Sequence, residues 1–196
     1  MVLNRDGYGI LEYENIEDLL HNPKKITSQA IDDSSLLVTK LASDYHMLSD
    51  KPLYELSSFL MDLDKASDLF DRIEYSKDLT ADKSIKYPHI QEIHTSYKFL
   101  GIGLQYKYKV RVYFDKVTSN EFAMRWKLVD VWEGSLASLT GTWYLREITI
   151  NNKKYTYIRS SASTWINGSH PGILFLTRTF GEKEINRTFR NLLNGI

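Results

Sequence analysis

The chain has 196 residues, of which 42% are hydrophobic and 13% are aromatic, so it can bury a sizeable core as one large domain. Its 25 Lys and Arg residues equal its 25 Asp and Glu residues, which excludes a global field toward nucleic acid or an anionic membrane surface. The absence of cysteine excludes disulfides, thiolate nucleophiles and thiolate metal sites.

Residues 1–33 are polar and mixed, and we interpret them as an N-terminal arm that can add a strand and a short helix to the same domain. Asn15 can cap a helix over 16–21 that Pro23 would end. The start, Met1 to Gly9, is too polar for a signal peptide, and no apolar run approaches the roughly 20 residues of a spanning helix. We therefore expect a cytoplasmic protein, or a periplasmic or secreted one whose leader has been removed.

Residues 34–196 are expected to form one domain that begins with a strand over 36–47 and two short helices. Pro52 suits the first turn of the first helix. Its buried face is predicted to carry Leu53, Leu56, Phe59, Leu60 and Leu63. The second helix is predicted to begin after Asp64 and to fray toward Asp78, and its buried residues would be Ala66, Phe70 and Ile73.

From Ile90 the hydrophobic period changes from helical to two, which predicts β-strands. Apolar residues occupy the even positions of 104–114 and 122–128, whereas the odd positions are mainly polar. Residues 117–120 between these runs are interpreted as a hairpin turn. Antiparallel neighbours with one dry face follow from this pattern.

The later part of the chain predicts one more hairpin and a final helix. Strands over 141–150 and 154–166 are joined by Asn151 and Asn152, which tolerate the left-handed conformations of a tight turn. A long helix is predicted over 173–193, apolar nearly all round in its first turns. The strands are therefore predicted to form a meander that ends in a helix.

The apolar face of the predicted sheet is rich in aromatic rings. A strongly bent sheet leaves more volume under its concave face than one helix fills, so this face can line a ligand cavity. Tyrosine hydroxyls and indole N–H groups would orient a polar head there, while ordinary core packing is the alternative for each single residue. The predicted lining residues are Tyr97, Tyr106, Tyr108, Met124, Trp126 and Trp143 from the sheet, and Ile173, Leu176 and Phe180 from the last helix.

Candidates for catalysis or metal binding are few. His170 lies at the start of the last helix and could act as a general base or bind an anionic head, although a Ser-His-Pro-Gly segment is more often a turn. Asp130 and Glu133 could serve as an acid/base pair, but a solvated loop is favoured. His89 and His94 lie on opposite parities of one predicted strand, so no metal site is expected.

Two further motifs favour plain structural explanations. Gly101-Ile102-Gly103 lacks the third glycine and the following helix of a nucleotide loop, so it is interpreted as a bend or bulge and no cofactor is expected. A basic stripe could contact a phosphate backbone or an anionic lipid surface, but a solvated outer face is favoured; it comprises Lys98, Lys107, Lys109 and Arg111. We expect no nucleic-acid partner and only transient membrane contact. No feature of the sequence indicates an oligomeric state.

Local segments also match a known pattern. Leu139–Leu145 reads Leu-Thr-Gly-Thr-Trp-Tyr-Leu, a strand with Tyr155 and Tyr157 follows, and Ser169–Ile173 brings Pro-Gly to the start of the last helix. Together with the order of strand, two short helices, antiparallel strands and final helix, these segments resemble the START-like polyketide cyclase and lipid-transport (SRPBCC) superfamily. Gly7–Tyr13 is similar to the opening strand of some bacterial members.

The resemblance implies an α+β helix-grip fold, in which a curved antiparallel sheet wraps a long C-terminal helix. It also implies a hydrophobic ligand between the two, such as a lipid, sterol, quinone or polyketide. The proline-rich segment of many lipid-transfer members is replaced by Phe99–Gly103. We expect a non-catalytic binding protein; the alternatives are a cyclase or hydratase-type enzyme acting on a carbonyl substrate, and a protein-interaction domain.

Overall fold

The structure is a computed structural model, and it describes residues 16–21, 24–33, 38–84, 86–99, 102–168, 183 and 186–194. Its framework is an eight-stranded sheet in which neighbouring strands run antiparallel. Within the described residues, no helix is both long and apolar enough to span a membrane.

The strands follow the predicted order, and two further strands, β1 (Lys24–Asp33) and β3 (Ile73–Asp78), are added to those predicted. They are β1 (Lys24–Asp33), β2 (Val38–Ser49), β3 (Ile73–Asp78), β4 (His89–Phe99), β5 (Ile102–Val117), β6 (Glu121–Glu133), β7 (Leu136–Ile150) and β8 (Lys153–Asn167). Their order across the sheet is β1-β2-β8-β7-β6-β5-β4-β3. The strands from β3 to β8 therefore form the predicted meander, and the β1–β2 hairpin adds to β8.

Short helices fill one side of this sheet. They are α1 (Leu53–Met61), a 3-10 turn (Leu63–Lys65), α2 (Ala66–Leu69) and the C-terminal helix α3 (residues 186–194). A further 3-10 helix, Ile16–Leu20, packs on the opposite side. A curved antiparallel sheet with two short helices after the first main strand and a helix at the C-terminus confirms the predicted α+β helix-grip class.

The period-two pattern is confirmed along β5. Tyr106, Val110 and Val112 are buried, whereas Gln105 before them and Arg111 between the two valines are exposed. The predicted tight hairpin between β7 and β8 is also present, because Asn151 and Asn152 have φ angles of 51° and 63°. Asparagine tolerates this left-handed region better than most residues.

The main core lies between the inner face of the sheet and the helices. Phe189 of α3 is 1% exposed and contacts Trp143 edge-on, with ring centroids 5.7 Å apart. Its ring also lies 6.3 Å from that of Tyr45. Leu56 of α1 and Leu192 of α3 belong to the same buried cluster. The C-terminal helix is thus held against the middle of the sheet.

A smaller core covers part of the outer face. Leu19, from the 3-10 helix Ile16–Leu20, is 2% exposed and packs with Leu48, Tyr144 and Tyr157. Strand β1 pairs along β2 from Lys24 opposite His46 to Asp33 opposite Val38. The 3-10 helix therefore packs on this sheet and Lys24–Asp33 extends it, while Gly7–Tyr13 lies outside the described residues.

The second helix is shorter than predicted. It ends at Leu69, and Ile73–Asp78, expected to fray from it, form strand β3. The buried Ser76 hydroxyl donates to the Leu63 carbonyl at 2.5 Å, and the Gln91 amide of β4 donates to the same carbonyl at 3.0 Å. Pairing with β4 satisfies a whole strand of backbone groups, and this tertiary gain overrides the helical spacing.

Candidate functional site

The structure places the predicted sheet residues on the inner, concave face. Trp126 is half-buried, and the residues that are buried are Tyr106, Tyr108, Met124 and Trp143. Met124 pairs with Trp143, and Trp126 pairs with Gly141, across β6 and β7. Side chains of paired residues share one face of a sheet. These side chains therefore share one apolar face within the main core, and their role in lining a ligand cavity stays a prediction.

Other predicted lining residues cannot be placed at the same surface. Tyr97 lies in β4 opposite Leu104, but its side chain lies outside the described part of the chain. Ile173, Leu176, Phe180 and the candidate base His170 also lie outside the described residues. Their roles stay predictions.

One half of the concave face is covered by helices, which we call the closed half, and the other half is partly exposed to solvent, which we call the half-open half. In the closed half, α1 and α3 bury Leu56, Trp143 and Phe189 to 1% exposure. In the half-open half, apolar side chains are packed against the core but remain partly exposed; they are Trp126, Leu128, Val131, Leu136 and Leu139. An apolar wall of this kind is suited to contact a hydrophobic molecule.

Trp126 owes its position to a glycine on the next strand. A Cβ atom built on Gly141 would overlap the six-membered ring of the Trp126 indole. Glycine inside a strand often marks a place where another group approaches the backbone closely. The Trp126 ring therefore lies close against β7 at Gly141, where a larger residue would displace it.

The turn between β6 and β7 covers Tyr106. Gly134 has a φ angle of +95°, and its backbone lies against the Tyr106 ring. Burial raises the pKa of the Tyr106 phenol above its ordinary value, although a hydrogen bond with Ser135 opposes the shift. Tyr106 is therefore a neutral phenol at physiological pH. Tyr106 and Ser135 are two polar groups that meet at this end of the concave face.

The sheet splits between β6 and β7 next to this turn. Their pairing runs from Glu121 opposite Arg146 to Lys127 opposite Thr140 and then stops, while both strands remain paired to their outer neighbours. Beyond the last pair lies an open groove of about 330 Å³. We call it the β6–β7 cleft; its lining residues are Lys127, Leu128, Val129, Asp130, Val131, Leu136, Ala137 and Ser138.

Bulges explain why the two strands diverge. In β6, Val129 and Trp132 are each skipped in the register with β5, and in β7 Ala137 is skipped in the register with β8. A bulge bends its strand and disrupts the ladder locally. The backbone N–H of Asn167 in β8 donates to the Ser135 carbonyl at 2.7 Å, so the turn is held toward β8.

A second groove lies away from the sheet. It has a volume of about 410 Å³, and it is lined by Glu55, Leu56, Ser58, Phe59, Asp62, Lys65, Asp68 and Leu192. These residues come from α1, the turn before α2, α2 itself and α3. Because its rim carries three carboxylates and one ammonium group, this groove is a weaker candidate for an apolar ligand.

Glu133 and the two predicted histidines have structural partners. Glu133 forms an ion pair with Lys107 at 2.7 Å, and Asp130 is exposed. His89 is buried beside Phe114, with ring centroids 5.2 Å apart. His94, on the opposite face of β4, lies 3.1 Å from a Glu92 oxygen. The two histidines therefore do not converge.

A charged cluster closes the loop between β3 and β4. One oxygen of Asp78 lies 2.8 Å from both His89 Nδ1 and Lys83 Nζ, and the other accepts the backbone N–H of Thr80 at 3.0 Å. Burial alone would raise the pKa of Asp78. Hydrogen bonds from these partners, Lys83 first, outweigh burial and lower the pKa to about 2.

We expect Asp78 to make the protein sensitive to acid. Because its pKa in the folded protein lies below the ordinary 3.8, its stabilisation is complete above about pH 4 and is lost as the pH falls toward 2. The shift corresponds to about 2 kcal/mol. Asp78→Asn should lower the free energy of unfolding by that amount at neutral pH, and by much less near pH 2, in urea titrations. Asp82→Asn on the same loop is the control, and a pH-independent deficit would contradict this assignment.

A buried polar network on the outer face was not anticipated from the sequence. Arg159 donates from Nε and Nη2 to the two oxygens of Asp44 at 2.9 and 2.7 Å. His46 Nε2 lies 3.2 Å from Asp44 Oδ1, and His46 Nδ1 contacts the Tyr157 hydroxyl. Burial opposes ionisation of Asp44, but hydrogen bonds from His46 and Arg159 lower its pKa below the ordinary value. This network joins β2 to β8.

Comparisons with known proteins identify the fold. No protein-family model and no curated protein matches the sequence. A STAR-related lipid transfer protein from Xanthomonas axonopodis superposes with a TM-score of 0.62 at 10% identity, over 86% of this chain and 97% of its own. The Zhui aromatase/cyclase from a Streptomyces species gives 0.58 at 11% identity, over 80% and 93%. A START superfamily protein from Mycobacterium smegmatis gives 0.56 at 8% identity, over 79% and 97%.

These identities are too low to carry a function, but the superpositions cover nearly the full length of each neighbour. The resemblance noted in the sequence is confirmed for the fold. The chain has the START-like helix-grip fold that these lipid-transfer and cyclase structures share.

Proposed function

We propose that the protein binds a hydrophobic small molecule between the concave face of its sheet and the C-terminal helix, without chemistry on it. The lipid-transfer and cyclase names of the structural neighbours support this class of ligand. A lipid, sterol, quinone or polyketide-like molecule would suit the partly exposed apolar surface of the concave face.

The half-open apolar wall carries this proposal. Trp126, Leu128, Val131, Leu136 and Leu139 remain partly exposed although they pack against the main core. Apolar surface that stays in contact with water is less favourable than buried apolar surface by a free energy of about 25 cal/mol per Å². A hydrophobic molecule laid along this wall would remove that cost.

The polar groups on the described concave face support binding rather than catalysis. Gln91 and Ser76 are occupied in holding the Leu63 carbonyl. Tyr106 and Ser135 remain as a pair that could orient the polar head of a ligand. Because the raised pKa keeps the Tyr106 phenol protonated at physiological pH, it can donate a hydrogen bond but is not available as a base.

The binding proposal is tested with a neutral apolar fluorophore such as Nile red. We expect saturable binding, and a Trp126→Ala variant should bind about thirtyfold more weakly because truncating a central aromatic contact costs on the order of 2 kcal/mol. The readout is the dissociation constant from a fluorescence titration, with circular dichroism to confirm that the variant is folded.

Trp165→Ala provides the matched control. Trp165 lies on the outer face, where Lys40 Nζ sits 4.6 Å from its ring centroid, and it is 38% exposed. Its removal should leave the dissociation constant within about twofold. Equal losses in both variants, or no saturable binding to the unaltered protein, would overturn the proposal.

An enzyme of the cyclase or hydratase type is the alternative. The aromatase/cyclase among the structural neighbours and the meeting of Tyr106 with Ser135 favour it. It requires a second proton-transfer group at the same spot, for which His170 is the sequence candidate. A Tyr106→Phe variant that binds the fluorophore normally but loses turnover of a polyketide-like carbonyl substrate would establish this alternative.

A further inference from the structure

The β6–β7 cleft opens to solvent, and part of its lining belongs to the main core. Leu128, Val131 and Leu136 line the cleft and also pack against the main core. Val129, which lines it as well, is 48% exposed to solvent. An apolar chain that entered between the two strands would therefore meet Val129 at the surface and Leu128, Val131 and Leu136 next to the core, alongside the polar Lys127, Asp130 and Ser138.

Two cations stand at the closed end of this cleft. Lys127 lines the cleft and is the last β6 residue paired with β7. Arg111 lies directly opposite Lys127 on β5, and both side chains are exposed. Within the described residues, neither forms an ion pair with a carboxylate.

Like charges directly opposite each other on neighbouring strands are destabilising. Nearby cations are neutralised or shielded, since Arg125 pairs with Asp115 at 2.7 Å and Lys109 lies over the Trp132 ring at 5.3 Å. Asp130 also lines the cleft, opposite Lys109 in the register. Arg111 and Lys127 thus leave a local excess of positive charge at the closed end of the cleft.

We propose that the β6–β7 cleft binds a long-chain anionic amphiphile. Its carboxylate or phosphate head would lie on Arg111 and Lys127, and its hydrocarbon tail would pass between β6 and β7 to Trp126. This inference rests on the proposed function; it assigns the class of ligand and the cleft through which the ligand enters. Exposed cations attract anions, while the apolar lining selects the chain.

The head-group assignment is tested with a dansyl-labelled fatty acid and its methyl ester, which differ only in charge. We expect Arg111→Gln/Lys127→Gln to weaken binding of the acid by about tenfold, since each exposed ionic contact contributes on the order of threefold. Binding of the ester should change by less than about twofold. Lys86→Gln/Arg190→Gln removes the same charge at exposed positions and should leave both constants unchanged.

The tail assignment is tested by closing the cleft. Because the chain has no cysteine, a Val129→Cys/Ser138→Cys pair introduces the only thiols, at positions that would face each other if the ladder continued. Oxidation should slow uptake and release of the ester by at least about tenfold relative to the reduced protein. Arg125→Cys/Thr142→Cys, whose positions are already paired, should exchange at equal rates in both forms. Ala137→Trp fills the cleft without a cross-link and gives the same readout if the first pair fails to oxidise.

The outcomes separate this inference from the proposed function. If the unaltered protein binds the ester and the acid equally well, or the closed cleft exchanges the ester at the open rate, the cleft assignment is wrong and the binding function stands. If neither molecule binds to any form, both are wrong.

Discussion

Replacing Arg159 by methionine is expected to lower the free energy of unfolding by about 3–5 kcal/mol. The side chains of Arg159 and Asp44 are 2% and 4% exposed, so the substitution leaves a carboxylate buried without its bidentate partner. The loss should be largest at neutral pH. Asp44 has a lowered pKa in the intact network, so its stabilisation is present above about pH 4 and declines on acidification, and the deficit should shrink in the same range.

Urea denaturation of three variants measures this effect. Asp44→Asn/Arg159→Met removes both charges and should recover part of the loss, because no unpaired charge remains buried. Arg125→Met breaks an ion pair in which Arg125 is 51% exposed, and it should cost less than about 1 kcal/mol. A loss in Arg159→Met no larger than in Arg125→Met would show that the buried network does not stabilise the junction of β2 and β8.

Replacing Phe189 by alanine is expected to cost about 3–5 kcal/mol. The ring is 1% exposed and lies between Trp143 and Tyr45, so its removal leaves a cavity where the C-terminal helix meets the sheet. Thermal unfolding should show the loss. The binding site should suffer too, because α3 would no longer be held at a fixed distance from the wall.

The neighbouring Arg190 is the control for this substitution. It is exposed on the same helix, and Arg190→Ala should change stability by less than about 0.5 kcal/mol. Phe189→Leu should lie between the two because it refills part of the cavity. If Phe189→Ala were as stable as Arg190→Ala, the packing of Phe189 would not hold the C-terminal helix against the sheet.

Much of the fold could be predicted because apolar and polar residues alternate strictly in strands that have one face buried and the other exposed to solvent. The alternation in β5 and the paired asparagines before β8 gave correct strands and a correct turn. In β8, by contrast, Ile158 is buried in the main core and Tyr157 in the outer one. Apolar residues on both faces of β8 indicate that both faces can be covered, and the 3-10 helix Ile16–Leu20 covers the outer one.

The candidate site was only partly predictable. Trp126 and Met124 follow the even positions of β6, but after Leu128 the apolar residues move to Val129 and Val131. This switch of parity is the sequence signal of a bulge, and it marks the cleft. The buried network was hidden because Asp44 and His46 are far from Arg159 in the chain, and only strand pairing brings them together.

Native mass spectrometry of the protein purified from its expression host tests the central claim most directly, when followed by organic extraction of bound molecules. We expect an adduct of a single lipid-sized molecule, lost in Trp126→Ala and retained in Trp165→Ala. A mass equal to that of the bare chain, unchanged after incubation with fatty acids, sterols and quinones, would contradict the proposal that this fold holds a hydrophobic ligand.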